Sequence, residues 1–306
     1  MPELPEVEVV RAGLEPAVTG ATVTSVTVLD ERSLRRHDGP SEDFVQRLTG
    51  QQLRAPLRRG KFLWIPLGPE PEEGAGGDGA NGGARTPTEA LVVHLGMSGQ
   101  VLLREPGTDD ALTRIRIDIE HPDAGPLRLN FVDQRIFGSM SLDPLVPSSD
   151  HPSDAVPSQV AHIARDPLDP LFDDSRFFAR LAAKNTTIKR ALLDQTLVSG
   201  IGNIYADESL WAARVHYDQP TGSLTRPRAR VLLGEVRAVL NRALAEGGTS
   251  FDSQYLNVNG QSGYFSHSLN AYGQQGKPCP RCGRVIVREQ FMNRGSHFCP
   301  RCQKVR

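Results

Sequence analysis

The order of apolar and polar positions divides the chain into unlike parts. Near the start, Val7, Val10 and Leu14 recur at i, i+3 and i+7, with Pro5 placed for a first turn, which predicts a helix. A strand-rich stretch follows. Residues 21–29 alternate Val with Thr and Ser, and Ser41 opens a short helix through Phe44 and Leu48 that Gly50 stops. Residues 52–57 and 61–67 predict two strands joined by Arg58-Arg59-Gly60 as a tight turn. Residues 90–95, 100–103, 114–120 and 127–131 continue the pattern. Ile115, Ile117 and Ile119 alternate with Arg116 and Asp118, as on a sheet with one buried face. Beyond residue 177 the period changes: 177–183, 188–197, 204–214 and 227–246 predict helices, the last stopped by Gly247-Gly248. The expected class is α+β, with an N-terminal helix on a β-sandwich and then a helical domain.

Two stretches interrupt this pattern. Residues 68–89 are rich in Gly, Pro, Glu and Ala and cannot bury enough apolar surface to offset ordering. Strand-like sequence resumes on both sides, so a disordered surface insertion is expected rather than a boundary. Pro, Ser and Asp cluster at 143–157, the expected linker. The expected domains are therefore 1–142, 158–272 and a terminal 273–306.

Composition changes the picture in two places. The chain has 306 residues, and no apolar run approaches the roughly 18 needed to span a membrane. The N-terminus lacks a basic-then-apolar pattern, so a cytoplasmic protein is expected. The net charge of −1 says little, but residues 251–306 carry eight Lys and Arg against only Asp252 and Glu289. Such a tail suits local contact with phosphates.

Three constellations carry chemistry. Cys279-Pro-Arg-Cys282 and Cys299-Pro-Arg-Cys302 hold every cysteine of the chain. Two CxxC turns at that separation make a tetrahedral thiolate site for one Zn²⁺, closed and therefore structural. The alternating residues between them predict a β-hairpin with Arg294 at its tip, where a guanidinium suits a phosphate. Next, Ser199-Gly200-Ile201-Gly202 joins two helices, with Asn203 expected as N-cap of the second. Its free N–H groups suit a phosphate, and Lys184 and Lys189 would add charge. Last, loss of Met1 would bare the secondary amine of Pro2, with a pKa of roughly 7.7–8.0 before the helix behind it pushes it down. A neutral secondary amine attacks an aldehyde-like carbon to give an iminium, and Glu3 and Glu6 are near enough to handle protons. Taken singly, each constellation admits a plainer reading: a solvated tail, a turn arginine, a helix hairpin, a common Met-Pro start.

Together the motifs resemble those of the formamidopyrimidine-DNA glycosylase family. The resemblance runs in order through Pro2-Glu3-Leu4-Pro5-Glu6, Arg59-Gly60-Lys61, His94-Leu95-Gly96-Met97-Ser98-Gly99, Asp133-Gln134-Arg135-Ile136-Phe137-Gly138, 194–208 and the two CxxC pairs. It implies a helix–two-turn–helix element, a zinc-finger hairpin and duplex DNA carrying oxidised or abasic sites as partner, bound by a monomer in a cleft between domains. It implies Pro2 as nucleophile on the sugar C1′, Glu3 as general acid/base, and Lys61 and Arg294 in β- and δ-elimination. His94, Asn203, Lys184 and Lys189 would contact the backbone. Met97, Arg135 and Phe137 would fill the gap left by an extruded base, and the loop 251–265 would fold over that base. A glycosylase must take its target out of the stack and plug the hole, which suits side chains flanking Gly96 and Gly138. The family often has a His near Leu112-Thr113; this chain does not. Two other readings stay open: an endonuclease VIII-type enzyme for oxidised pyrimidines, and a non-catalytic zinc protein that binds damaged DNA.

Overall fold

The opening helix runs Leu4–Val18 (α1), and Val7, Val10 and Leu14 are all essentially inaccessible to solvent. The computed structural model describes residues 2–69, 87–249, 258 and 265–305. Met1, residues 70–86 of the expected insertion, and all of the 251–265 loop but Val258 and Phe265 lie outside the described residues. The described residues form two compact units: Pro2, 7–162 and Val258 in the first, and Glu3–Glu6, 163–249 and 265–305 in the second.

The first unit is a two-sheet sandwich. Its elements after α1 are β1 (Thr22–Val28), α2 (Ser41–Leu48), β2 (Leu57–Arg59), β3 (Phe62–Pro66), β4 (Glu89–His94), β5 (Gln100–Arg104), β6 (Thr113–His121), β7 (Gly125–Val132), β8 (Ser139–Pro147) and β9 (Ala155–Pro157). One sheet has the order β1-β6-β7-β5 and the other β2-β3-β4-β8-β9, antiparallel throughout. The period-two pattern of β6 explains the layering. Ile115, Ile117 and Ile119 join Leu63, Ile65, Leu91, Val93 and the apolar face of α1 in one core. Each such side chain contributes about 1.5–3 kcal/mol by leaving water. Asp118 turns outward and accepts from Arg128 Nε at 2.7 Å and Ser25 Oγ at 2.8 Å.

Two expectations here need correction. The turn between the paired strands is Gly60-Lys61, since Arg59 pairs with Phe62 and only Gly60 has the left-handed φ of 58° that the turn demands. The stretch 143–157, expected as a linker, is largely sheet: β8 pairs along the whole of β4, and β9 pairs with β8. Its polar composition misleads because Val156 is buried and the buried Asp143 is used as a cap. The Asp143 carboxylate accepts from Ser158 Oγ and from Gln159 N, both at 2.9 Å.

The second unit is helical: α3 (Asp174–Ala183), α4 (Ile188–Leu193), α5 (Asn203–Ala212) and α6 (Arg226–Ala245), followed by a hairpin of β10 (Val287–Phe291) and β11 (Arg294–Phe298). Asp173 caps α3 by accepting from Arg176 N at 2.9 Å. Helix α4 ends four residues earlier than its periodicity predicts. Asp194 takes the N–H and hydroxyl of Thr196 at 2.9 and 2.7 Å, offering the backbone a turn in place of further helix. Leu192, Ile204, Tyr205, Leu233, Val236 and Phe298 share one core.

Candidate active site and metal centre

In the first unit, Pro2 is buried and lines a cavity of about 60 Å³ together with Val7, Lys61, His94, Leu95 and Gly96. Three residues singled out from the sequence thus meet at one place. Lys61 arrives on the β2–β3 turn and His94 on the last residue of β4. Burial, then the charges of Arg36, Lys61 and Arg35, lowers the His94 pKa to about 4, so the ring is neutral near pH 7. Its Nδ1 accepts from Gly96 N at 3.1 Å, which leaves Nε2 carrying the proton as a neutral donor.

The same unit presents Met97, Arg135 and Phe137 to solvent; Met97 is 41% and Phe137 49% exposed, unlike most large apolar side chains. They sit on two loops, β4–β5 and β7–β8, held together by one buried carboxylate. Asp133 Oδ1 accepts from Ser98 Oγ at 2.6 Å and Arg135 N at 3.2 Å, and Oδ2 accepts from Gly138 N at 2.7 Å. The loops also touch backbone to backbone. A Cβ on Gly96, whose φ is 62°, would lie 2.3 Å from the Phe137 carbonyl carbon. Arg35, which sequence reasoning did not single out, donates to the carbonyls of Ile136 and Phe137. Asp133 stands in the matched motif, but nothing in its spacing shows that it ties two loops.

In the second unit, Glu3 occupies the start of α5. Its carboxylate accepts from Gly202 N at 2.6 Å, Ile204 N at 2.9 Å and Tyr205 N at 3.4 Å. Gly202 is required there, since a Cβ would meet the Glu3 carboxyl carbon at 2.3 Å. This corrects the expectation that Asn203 caps the helix and offers free N–H groups to a phosphate. Gly202 holds the cap position, Asn203 is the first helical residue, and the donors are taken by Glu3. Asn203 Nδ2 instead donates to Gly295 O at 3.1 Å. Glu6 anchors the same region: it accepts from Glu3 N at 2.8 Å, Tyr205 Oη at 2.6 Å and Thr249 N at 2.7 Å.

Lys189 is also not where a phosphate contact would need it. The side chain is wholly buried, 2.6 Å from Asp207 Oδ1, and donates to Ser296 Oγ at 2.7 Å and Gly295 O at 3.2 Å. Burial lowers its pKa against the pull of Asp207. Asp207 further accepts from His297 N at 2.8 Å. This network fastens β11 to α4 and α5, so Lys189 supports Arg294 rather than joining it on the surface. Lys184 is partly exposed and pairs with Asp194 at 2.6 Å. Arg294 itself is exposed at the head of β11, opposite Phe291.

Below the hairpin the four cysteines converge. The Sγ atoms of Cys279, Cys282, Cys299 and Cys302 lie within 4.8 Å of one another. Tetrahedral zinc with Zn–S bonds of about 2.3 Å needs sulfurs roughly 3.8 Å apart, so the set fits with small adjustments. Trp211 Nε1 donates to Cys279 Sγ at 3.4 Å and Cys302 N to Cys299 Sγ at 3.5 Å, the outer bonds that stabilise thiolates. The four cysteines form the site of one structural zinc ion, with no position open to substrate.

Comparison with known proteins agrees across the chain. Residues 1–140 match the formamidopyrimidine-DNA glycosylase N-terminal domain, 163–254 its H2TH domain, and 276–305 the zinc finger found in FPG and IleRS. A formamidopyrimidine-DNA glycosylase of Leifsonia xyli is 62% identical over the full length of both chains. One from Streptomyces avermitilis is 53% identical, covering 99% of this chain and 98% of its own. Among solved structures, the Lactococcus lactis Fpg in complex with abasic-site DNA aligns with a TM-score of 0.77 at 29% identity, over 99% of each chain. The MutM (Fpg) protein of Thermus thermophilus aligns at 0.76 and 32%, over 99% of this chain and 98% of that one. With identity this high across the whole length and all three of its domains matched in order, the chain belongs to the formamidopyrimidine-DNA glycosylase family.

Proposed function

We infer that the chain is a base-excision repair enzyme, a DNA glycosylase that extrudes and removes oxidised purines such as 8-oxoguanine and formamidopyrimidines from duplex DNA. The observation that carries this reading is the placement of Pro2 against one cavity with Lys61 and His94. Loss of Met1 bares the Pro2 nitrogen, which attacks C1′ of the sugar. The bond from C1′ to the base breaks and the base leaves with a proton; the proline nitrogen gives up its own proton, the C1′–O4′ bond opens with O4′ taking a proton, and an iminium remains. Loss of a proton from C2′ then expels the 3′ phosphate, and a second elimination expels the 5′ phosphate. Lys61 serves the first of these steps and Arg294 the second.

Glu3 follows Pro2 in the chain and handles protons as the sugar opens. Its carboxylate is held in place by three backbone N–H donors. His94 grips a phosphate as a neutral N–H donor, and Lys184 and Asn203 supply further backbone contacts. Met97, Phe137 and Arg135 replace the extruded base, with Arg135 facing its orphaned partner. Zinc holds the hairpin that carries Arg294. The protein acts as a cytoplasmic monomer; no described helix is long and apolar enough to cross a membrane.

Borohydride trapping tests the chemistry. Reduction of the iminium leaves a covalent protein–DNA adduct with 8-oxoguanine duplex, and Pro2→Gly loses it. Binding without any adduct in the wild type would instead support a zinc protein that only recognises damage. Faster excision of thymine glycol than of 8-oxoguanine would place the enzyme with the endonuclease VIII type. Full-speed cleavage by protein that retains Met1 would refute the amine mechanism.

A further inference from the structure

The second unit has a basic cavity that the glycosylase chemistry does not use. Arg214, Arg228, Arg281 and Arg301 line an open hollow of about 580 Å³ beside Cys282 and Cys302. The hollow lies at the cysteine end of the hairpin, whereas Arg294 stands at the other end, five residues from Cys299 along β11. At about 3.3 Å per strand residue that separation is on the order of 16 Å, so one phosphate cannot reach both places.

None of the four arginines has a carboxylate partner within ion-pair distance among the described residues. Arg281 is partly committed: it stacks 4.1 Å over the Trp211 ring and donates to Trp211 O at 2.9 Å, at the carbonyl end of α5. Arg228 donates to Arg214 O at 3.3 Å, a neutral acceptor. Four thiolates on a zinc ion leave two negative charges, which four guanidiniums exceed, so the hollow stays cationic with the metal bound. A second observation points the same way. Helix α6 carries Arg228, which lines the hollow, in its first turn and has no acid there. Cations at a helix N-terminus are electrostatically unfavourable, by about 0.3–1 kcal/mol each when exposed. An anion in the hollow would offset that cost at Arg228 and pair with guanidiniums that have no carboxylate partner.

We propose that this arginine-lined hollow is a second anion site that takes a phosphate group, separate from the Arg294 hairpin tip. The phosphate comes either from a small phosphate ester in solution or from nucleic-acid backbone away from the lesion. The test uses the full-length zinc-loaded protein, with inorganic pyrophosphate as probe in calorimetry and an undamaged long duplex in salt titration. Wild type binds pyrophosphate saturably, and Arg228→Glu combined with Arg301→Ala weakens it at least tenfold with zinc content unchanged. If the phosphate comes from nucleic acid, the same change also flattens the slope of log Kd against log salt, by about 0.9 for each backbone phosphate no longer neutralised. An altered pyrophosphate affinity with an unaltered slope assigns the site to a small phosphate ester. Because Arg301 lies between two cysteines, Arg228→Ala, outside the zinc segment, serves as the second variant should the first lose metal. Wild-type pyrophosphate affinity and salt slope in Arg228→Ala, or no pyrophosphate binding and no change of slope at all, would overturn the proposal.

Discussion

Asp133 offers the sharpest test of how the exposed trio is held. The carboxylate is fully buried and accepts three hydrogen bonds, from Ser98 Oγ, Arg135 N and Gly138 N. In Asp133→Ala the Gly138 N–H is left buried with nothing to take it, at about 1–3 kcal/mol. Ser98 and Arg135 lie nearer solvent and rehydrate at smaller cost, so the expected loss of stability is about 2–4 kcal/mol. Asp133→Asn separates charge from shape. One amide oxygen can still serve Ser98 and Arg135, but the NH₂ then faces the Gly138 N–H across 2.7 Å, donor against donor. It is expected to cost about as much as alanine, because it loses the same Gly138 bond and sets donor against donor in its place. Urea unfolding reads the total, and hydrogen exchange at Gly138 reads its location: that amide accelerates by at least tenfold while those of β6 do not. Affinity for abasic duplex falls in parallel, because Met97, Arg135 and Phe137 no longer share one rigid base. An alanine variant within about 0.5 kcal/mol of wild type, with the Gly138 amide still protected, would refute the clamp.

Other outcomes follow from the same geometry. Lys189→Met strands the Asp207 carboxylate in the core and is expected to cost about 3–5 kcal/mol, whereas Lys189→Met with Asp207→Leu recovers part of it; equal loss in both variants by denaturant titration would argue against a buried ion pair. His94 has its folded pKa near 4 against an ordinary value of 6.5, so the unfolded chain binds the extra proton first and stability falls as pH drops from about 6.5 to 4. The loss has an upper bound of about 3 kcal/mol, reduced by the ring's partial exposure, and His94→Gln removes that part of the pH dependence in thermal melts. Cys282→Ser, or metal removal by a chelator, misplaces Arg294 and abolishes DNA binding while the sandwich core keeps its protected amides; a metal-free protein with full activity would contradict this.

Some of this protein could be read one residue at a time. The two CxxC pairs specify a four-thiolate site because zinc demands a ligand set that few other arrangements supply. The alternation of Ile115, Ile117 and Ile119 marks a half-buried strand, and the spacing of Val7, Val10 and Leu14 marks a buried helix face, because both patterns repeat with the backbone's own period. Side chains whose role depends on a distant partner were not legible. Lys189 reads as a surface cation until Asp207 and Ser296 close around it. Asn203 reads as a cap until Glu3, some two hundred residues earlier in the chain, takes the helix start. Residues 143–157 read as a linker until β4 supplies the edge that β8 pairs with. Local periodicity is written in neighbouring residues, but hydrogen-bond and charge partners are chosen only when remote segments meet, and that choice belongs to the tertiary structure.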